Sequence, residues 1–453
     1  MNSTERRSGL SVLIHSPYPL DKSAPGGVSS YVQELVPHLR DLGCTVTTVA
    51  PKVKDANNDA AEYNLGRTMS IEAIGTKLEA GITFNKGLAR NILSKVNPDI
   101  IIAQQPEMPP NSGHTFISAI PKTETGRRLI PIVGQFHAGR PFGGLDLRTR
   151  LLTELAQRLR RPIFKYGVPV GLSATYVGTL RNALDGWLAI SHGTENYPKE
   201  FAPGNYEVIP NGIDVETFTP EGPKFEEWQK DGRKTIFFAA GRHDKRKGLE
   251  YLVKAFIELV KEGNDDIKLK ITGEGTETKK IKELIAREGE FDIEFLGLLP
   301  REDLARAYRS VDLFVAPSLG GEGFTRVIAE ARASGAPVLC TNIDGQTEAI
   351  GPDFEPFMAA PADYKDLKKK VKKILNLPEE GLVGLRMRSM EDARRELAWP
   401  GIAKRNESYY RRVLSEVGYP PKWETRKTFL TKLIPPLGII YVSDSAYTIK
   451  ESA

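Results

Sequence analysis

Residues 317–335 hold two carboxylates around a glycine turn, and their spacing is suited to ligand chemistry. An apolar run at 311–316 precedes the turn, and a helical pattern follows it. The pattern predicts Glu322 at the helix start and Glu330 roughly 12 Å further along the axis. Because a helix N-terminus offers free N–H groups, the segment suits a ligand with hydroxyl groups and a phosphate. Such a pair also arises by chance on solvated helices, so other segments must decide between the two interpretations.

Two further glycine turns in the second half of the chain also follow apolar, strand-like runs. Arg242 comes directly after the run 235–241, and Lys247 precedes a glycine and a new helical pattern. Arg offers a planar fork and Lys a mobile point charge, a combination that suits a diphosphate. Glu274 lies in the turn after the run 267–272. Parallel sheets bind ligands at the carboxyl edge of their strands, so three such turns favour a nucleotide site over solvated loops.

The first half of the chain has two candidate ligand turns of its own. Gly26 and Gly27 follow the run 11–16 and precede a helical pattern, which would let backbone N–H groups approach a phosphate or sugar. The turn is not a full Gly-x-Gly-x-x-Gly, which argues against an ordinary dinucleotide site and leaves an ordinary loop as an equal alternative. His137 ends the run 129–137. It is either a structural histidine or an active-site residue facing a cleft.

The composition of the 453-residue chain indicates a globular protein with more than one core. Its net charge of +5 suits an anionic small ligand or an anionic membrane surface, and it does not indicate a nucleic-acid binder. Cys44 and Cys340 lie in apolar runs and predict buried thiols, with no disulfide or cysteine-based metal site. The polar N-terminus and the lack of a long uncharged apolar stretch predict a cytosolic protein, peripheral to a membrane at most.

Apolar strand-like runs alternate with amphipathic helical patterns along the whole chain. The runs cover residues 11–16, 44–50, 99–104, 129–137, 187–191, 235–241, 267–272, 293–297, 311–316 and 337–341. This alternation predicts an α/β fold of two doubly wound, Rossmann-like domains with parallel sheets. We expect an N-terminal domain over 1–205 and a C-terminal domain over 206–398. Residues 399–453 would add a helix that returns to the N-terminal domain, and a tail.

Residues 148–165 combine six basic residues with one acidic residue, Glu154, beside an apolar stripe at helical spacing. A basic amphipathic helix of this kind can lie on an anionic membrane surface. An ordinary surface helix that packs its stripe on the core is the alternative, since most amphipathic helices do so.

In this order and at these spacings, the motifs resemble the retaining, GT-B-fold glycosyltransferases of family 4. The resemblance extends from the first apolar run to the helical pattern around Tyr409. It rests on Gly26-Gly27, Phe136-His137, residues 209–214, Gly241-Arg242, Lys247-Gly248, residues 273–275, residues 295–297 and the Glu322…Glu330 pair. Within the family, residues 241–248 and 316–322 look most similar to phosphatidylinositol mannosyltransferases, which use GDP-mannose at the inner membrane face.

The resemblance implies two domains facing a cleft and a hexosyltransferase that needs no cofactor and no metal. The donor would be a GDP- or UDP-linked mannose or glucose. A membrane lipid such as phosphatidylinositol is favoured as acceptor over a soluble or polysaccharide one. His137 and Glu322 would lie at the transferred sugar. The implied donor contacts are Gly26, Gly27, Arg242, Lys247, Glu274, Gly323, Phe324, Thr325 and Glu330. Thr325 departs from the family, which usually has glycine there.

Three other functions fit some of these residues. A nucleotide-sugar epimerase on the same architecture would convert the donor without any acceptor. A non-catalytic binder would bind the donor without turnover, although decayed sites tend to lose charges such as these. A Rossmann dehydrogenase needs Gly-x-Gly-x-x-Gly with an acidic residue about 20 positions later, and we find no such arrangement.

Overall fold

The computed structural model describes residues 9–21, 27–52, 59–65, 67–73, 76–82, 86–105, 119–120, 130–137, 183–199, 206–351 and 357–417. Their helices and strands alternate and form two parallel sheets, as the sequence predicts. Residues 148–165 and Gly26 lie outside the described residues. None of the described helices is long and apolar enough to span a membrane.

The N-terminal half contains nine strands and three helices among its described residues. The strands are β1 (Ser11–His15), β2 (Thr45–Ala50), β3 (Tyr63–Asn64), β4 (Arg67–Ala73), β5 (Thr76–Ile82), β6 (Ile100–Gln104), β7 (Ile132–Phe136), β8 (Gly186–Ala189) and β9 (Tyr206–Val208). The helices are α1 (Gly27–Asp41), α2 (Lys86–Val96) and α3 (His192–Lys199). Seven strands form a parallel sheet in the order β3-β2-β1-β6-β7-β8-β9. The remaining two, β4 and β5, form a separate antiparallel pair.

The C-terminal half contains a second parallel sheet in the order β12-β11-β10-β13-β14-β15. Its strands are β10 (Lys234–Arg242), β11 (Ile267–Glu274), β12 (Ile293–Gly297), β13 (Leu313–Ala316), β14 (Val338–Thr341) and β15 (Met358–Ala359). Its helices are α4 (Leu249–Lys261), α5 (Thr278–Glu288), α6 (Arg301–Ser310), α7 (Arg326–Ala333), α8 (Thr347–Ile350), α9 (Tyr364–Leu375) and α10 (Glu379–Leu397).

All ten predicted strands are present, with ends that differ by a few residues from the apolar runs. The antiparallel pair at 67–82 was not predicted, because polar residues interrupt every apolar run there. The short strands β3, β9 and β15 were also missed, since two or three residues carry no period. Cys44 and Cys340 are buried free thiols, as predicted.

The last described helix, α11 (Trp399–Val417), packs on the N-terminal half of the molecule. Its buried residues Ile402 and Tyr410 share one hydrophobic cluster with Val32 and Leu35 of α1. Trp399 fills the space beside Gly212, where a β-carbon would lie 2.2 Å from the indole ring. The chain therefore crosses from the second half back to the first through a tightly packed junction.

Candidate active site

The carboxyl edge of the second sheet brings two predicted donor contacts together. Arg242 ends β10 and lies in register with Glu274, which ends β11. Both residues are exposed. The turn behind them needs glycine, because a β-carbon at Gly273 would lie 1.7 Å from the carbonyl oxygen of Ala240. Glycine also adopts its φ of +112° at little cost.

The loop between β10 and α4 is bound to the loop after β13. Asp244 caps a short 3-10 turn by accepting from the backbone N–H of Arg246 at 3.0 Å. The Arg246 guanidinium donates to the carbonyl oxygen of Gly321 at 3.0 Å, so this cation is used within the protein. A β-carbon at Gly248 would lie 1.9 Å from the carbonyl oxygen of Pro317. These contacts fix the positions of the side chains on both loops.

Lys247 and Glu322 form an ion pair between these two loops. The Lys247 Nζ donates to Glu322 Oε1 at 2.9 Å. Burial alone would raise the pKa of Glu322, but the charge and hydrogen bond of Lys247 lower it below its ordinary value. Arg246 and Ser318 add to that lowering. Glu322 is therefore a buried carboxylate that stays ionised at neutral pH.

Glu322 does not lie at a helix start, which corrects the sequence-based expectation. Helix α7 begins four residues later at Arg326, with Thr325 as its N-cap. Gly320 and Gly321 have φ values of +149° and +71°, a backbone that a right-handed helix does not contain. The glutamates are therefore not held on one helix at a fixed axial spacing, and Glu322 lies on a loop that α7 follows.

The two halves of the molecule contact each other beside Glu322. The backbone of Gly323 approaches His137 so closely that a β-carbon at Gly323 would lie 2.0 Å from the His137 carbonyl oxygen. The Ser191 hydroxyl, also from the N-terminal half, donates to the Gly323 carbonyl oxygen at 2.6 Å. The backbone N–H of His192 donates to Glu348 Oε2 at 2.8 Å. His137 and Glu322 are thus brought to the same interdomain contact.

His137 lies directly after β7 and is held in a neutral state. Its Nε2 lies 2.5 Å from Gln104 Oε1, and its ring packs edge-on against Tyr31 at 4.8 Å between centroids. Burial lowers the pKa of His137 from its ordinary 6.5 to about 3. The imidazole is therefore neutral at physiological pH.

Phe324 and Thr325 connect Glu322 to helix α7. Phe324 is buried in the hydrophobic cluster that also contains Ile190 and Ile328. The backbone N–H of Thr325 donates to the Gly345 carbonyl oxygen at 3.1 Å. The Thr325 hydroxyl is buried and has no hydrogen-bond partner among the described residues. A buried, unpaired hydroxyl at this position is available to a ligand.

Glu330 belongs to a second group of charges, separate from the Lys247–Glu322 pair. It lies 3.7 Å from Arg326, whose guanidinium also pairs with Glu34 of α1 at 2.7 Å. Arg301 contacts Glu34 at 2.9 Å, and the Trp399 indole N–H donates to Glu34 at 2.8 Å. This cluster connects α1, α6, α7 and α11, and it was not predicted from the sequence.

The pKa values of the half-buried Glu34 and the buried Glu330 shift in opposite directions. For Glu34, burial acts to raise the pKa, but Arg326 and Arg301 lower it below the ordinary value. For Glu330, burial dominates and raises the pKa, with Arg326 and Arg301 opposing it. One contact of this cluster could have been predicted from the sequence. Arg326 precedes Glu330 by four residues, a spacing at which side chains on a helix contact each other.

The first glycine turn is only partly described. Gly27 is the first residue of α1, is exposed, and has open space around the position of a β-carbon. It therefore leaves the helix N-terminus accessible. Among the described residues, no group of three His, Cys, Asp or Glu side chains is placed to hold a metal ion.

Two family models match successive parts of the chain. The one described as Glycosyltransferase Family 4 matches residues 25–217. The one described as Glycosyl transferases group 1 matches residues 221–395. The two matches meet at the passage from the first sheet to the second.

Curated relatives match over most of the chain. The chain is 28% identical to a phosphatidyl-myo-inositol mannosyltransferase of Mycolicibacterium smegmatis over 356 residues, covering 77% of this chain and 80% of the relative. It is 24% identical to a GDP-mannose-dependent alpha-mannosyltransferase of Corynebacterium glutamicum over 347 residues, which is 75% of each chain.

Solved structures share the fold at lower sequence identity. A sucrose-phosphate synthase from Thermosynechococcus elongatus has a TM-score of 0.64 at 17% identity, covering 90% of this chain and all of that one. HepE of Anabaena, solved with UDP and glucose, has a TM-score of 0.62 at 16% identity, covering 89% of this chain and all of that one. The motifs, the two parallel-sheet domains and these matches together show that the chain is a hexosyltransferase of the GT-B fold, built from a Glycosyltransferase Family 4 region followed by a Glycosyl transferases group 1 region.

Proposed function

We propose that this enzyme transfers mannose or glucose from a GDP- or UDP-linked sugar to a membrane lipid, with retention of configuration and without a metal. The observation that carries the proposal is the Lys247–Glu322 pair at the carboxyl edge of the second sheet, next to the contact between His137 and Gly323. A cation that could bind a diphosphate thus lies at the same interdomain contact as two polar residues that could bind a sugar. The mannosyltransferase relatives support mannose, and the UDP and glucose bound by HepE support the alternative donor.

Each side chain has a role that its surroundings support. Arg242 and Lys247 would bind the donor diphosphate, because both are cations at the strand ends where open α/β sheets bind ligands. Glu274, on the neighbouring strand end, would contact the nucleotide. Glu330 would bind the ribose, because its 3.7 Å distance to Arg326 is too long for a hydrogen bond and leaves carboxylate lone pairs for hydroxyl groups.

The remaining donor contacts are backbone and short side chains at the same loop. Gly323, Phe324 and Thr325 precede α7. Gly323 and Phe324 would present their N–H groups, and Thr325 its hydroxyl, to the sugar and phosphate. Gly26 and Gly27 would let the acceptor and the donor phosphate approach the N-terminus of α1. Fixed donors and cations of this kind stabilise the charge that develops on a leaving diphosphate.

Neither polar side chain at the sugar is suited to protonate a leaving group at neutral pH. Glu322 is ionised because Lys247 outweighs burial, and His137 is neutral because burial outweighs its basicity. Glu322 would instead accept hydrogen bonds from the sugar and oppose its developing positive charge. The proton of the attacking hydroxyl would then pass to an oxygen of the leaving diphosphate, on the same face of the sugar.

The lipid acceptor rests on two observations outside the described site. Several of the relatives are phosphatidyl-myo-inositol mannosyltransferases. Residues 148–165 have the charge pattern of a helix that binds anionic lipid surfaces. A soluble or polysaccharide acceptor is the alternative.

A screen of GDP- and UDP-sugars by thermal shift tests the donor, because a ligand that binds only the folded state raises the melting temperature. We expect one nucleotide series to stabilise the protein and the other not. Product analysis by mass spectrometry, with chromatography of isomeric sugars, then follows transfer to phosphatidylinositol. Conversion of the donor without acceptor would indicate an epimerase, and donor binding without turnover on any acceptor would indicate a binder.

Flotation with liposomes tests the acceptor separately. Vesicles with and without anionic lipid should differ, with binding only to the anionic ones and less binding at high salt. A protein that stays unbound at low salt would redirect the search to soluble or polysaccharide acceptors.

A further inference from the structure

A chain of uncharged polar side chains runs from His137 into the N-terminal domain and ends on helix α11. His137 Nε2 lies 2.5 Å from Gln104 Oε1. Gln104 Nε2 donates to Gln135 Oε1 at 2.9 Å, and Gln135 Nε2 donates to the Tyr31 hydroxyl at 2.7 Å. The Tyr31 hydroxyl donates to Asn406 Oδ1 at 3.4 Å. The four residues after His137 have no exposed surface, so each must find its partners within this chain.

The direction of the hydrogen bonds is set at Asn406. Its Nδ2 donates to the Ile402 backbone carbonyl at 2.9 Å. The flipped amide would place two oxygens against each other, so Oδ1 must face the tyrosines. Tyr410 donates to the same Oδ1 at 3.2 Å. A hydroxyl has one hydrogen, so Tyr31, which donates to Asn406, can only accept from Gln135.

This direction passes from one amide to the next until it reaches His137. Gln135 presents its NH₂ group to Tyr31, so its oxygen faces Gln104. Gln104 then presents its NH₂ group to Gln135, and its own oxygen faces the His137 ring. An oxygen at 2.5 Å from Nε2 requires a hydrogen on that nitrogen. Since the ring is neutral, Nδ1 carries none.

We propose that Tyr31, Gln135 and Gln104 are positioning residues that hold His137 as the Nε2–H tautomer, leaving Nδ1 to accept a hydrogen bond from a substrate hydroxyl. The substrate part of this inference rests on the proposed function, because it needs a hydroxylated ligand in the cleft. The tautomer itself depends on the chain of hydrogen bonds and on a neutral ring, and it needs no ligand. A backbone carbonyl on α11 thus determines what His137 can recognise.

The chain also offers a matched pair of variants. Tyr31→Phe and Tyr410→Phe each remove one hydroxyl from Asn406 Oδ1, and both keep the aromatic ring in its packing. Only Tyr31 lies between Asn406 and Gln135. In Tyr31→Phe, the Gln135 NH₂ group loses its acceptor, and an unpaired buried N–H is costlier than an unpaired carbonyl. The side-chain amides of Gln135 and Gln104 should both flip, so that the Gln104 NH₂ group faces the His137 ring. The ring hydrogen then moves from Nε2 to Nδ1.

The test is a long-range ¹H–¹⁵N spectrum of the full chain with labelled histidine, in which the His137 signals are those missing from His137→Gln. The wild type and Tyr410→Phe should show the Nε2–H tautomer, and Tyr31→Phe should show a new Nδ1–H population. With an active donor and acceptor, Tyr31→Phe should lower kcat/KM roughly tenfold, whereas Tyr410→Phe should change it less than twofold.

An Nδ1–H tautomer in the wild type would overturn the inference, and so would a Tyr31→Phe spectrum identical to the wild type. The spectra need no substrate, so they decide the inference even if the proposed reaction is wrong. A failure of the proposed function would appear elsewhere, as a wild-type protein that no nucleotide sugar stabilises.

Discussion

The two sides of the interdomain contact differ in how they carry charge. The C-terminal side presents ionised groups on glycine-rich loops, with Lys247 2.9 Å from Glu322 and Arg242 exposed at a strand end. The N-terminal side presents a neutral imidazole, His137, held by the amide of Gln104. Charged groups are suited to a leaving diphosphate, whereas directed neutral groups are suited to sugar hydroxyls. Under the proposed function, one domain would supply electrostatic stabilisation and the other would supply orientation.

The largest expected effect comes from neutralising the charged side. Glu322→Gln keeps the shape of the side chain but removes the carboxylate that, in the proposed function, opposes positive charge on the sugar. We expect kcat/KM for transfer to fall roughly 100- to 1000-fold with the fold intact. Glu380→Gln, an exposed change on α10, is the matched control and should leave transfer unchanged. Equal activity of the two variants would remove Glu322 from the chemistry.

The next effect concerns the place where the two sides meet. Gly323→Ala adds a β-carbon 2.0 Å from the His137 carbonyl oxygen, so the two halves must move apart. We expect transfer to fall roughly 100-fold, because small displacements of reacting groups are costly. Gly401→Ala on α11, where the β-carbon meets open space, controls for the loss of a glycine. An active Gly323→Ala enzyme would show that the contact is not needed for catalysis.

The neutral side should respond to acid through stability. The pKa of His137 is about 3 in the folded protein against 6.5 ordinarily, so the unfolded chain takes up a proton first as the pH falls. The contribution of neutral His137 to the free energy of unfolding is complete above pH 6.5 and declines as the pH falls towards 3. Urea unfolding at pH 7 and pH 5 should show a larger loss for the wild type than for His137→Gln. Identical losses would contradict a buried neutral imidazole.

The smallest expected effect lies at Thr325, between the two sides. Its hydroxyl is buried and has no partner among the described residues, so Thr325→Val should stabilise the free enzyme by about 1 kcal/mol. If the donor sugar is the missing partner, the same variant should raise the donor KM several-fold, and Thr325→Ser should not. A rise in melting temperature with an unchanged KM would make the hydroxyl irrelevant to donor binding.

The sequence predicted the parts of the molecule that depend on local pattern. The ten strands follow from apolar runs, and the turns at Arg242, Lys247 and Glu274 follow from glycines at strand ends. The start of α7 was placed too early, because Gly320 and Gly321 read as a tight turn into a helix, whereas the loop continues to Thr325.

Contacts between segments that are distant in the sequence could not be predicted from it. Glu34 contacts Arg301 and Arg326 across 267 and 292 positions, and Asn406 contacts Tyr31 across 375 positions. No local period or motif connects such residues, since their proximity depends on how α11 returns to the first domain. The series of hydrogen-bonded, uncharged side chains from His137 to Asn406 could not be predicted for the same reason.

The most direct test of the charged side is the binding of a nucleoside diphosphate compared with the monophosphate of the same nucleoside. Lys245 lies in the same 3-10 turn as Lys247 but is exposed, so Lys245→Ala is the matched control for Lys247→Ala. Calorimetric titration should show that Lys247→Ala loses most of the extra affinity for the diphosphate and keeps its affinity for the monophosphate, while Lys245→Ala binds both like the wild type. Equal losses in the two variants, or an unchanged preference for the diphosphate in Lys247→Ala, would contradict the assignment of this edge to the donor diphosphate.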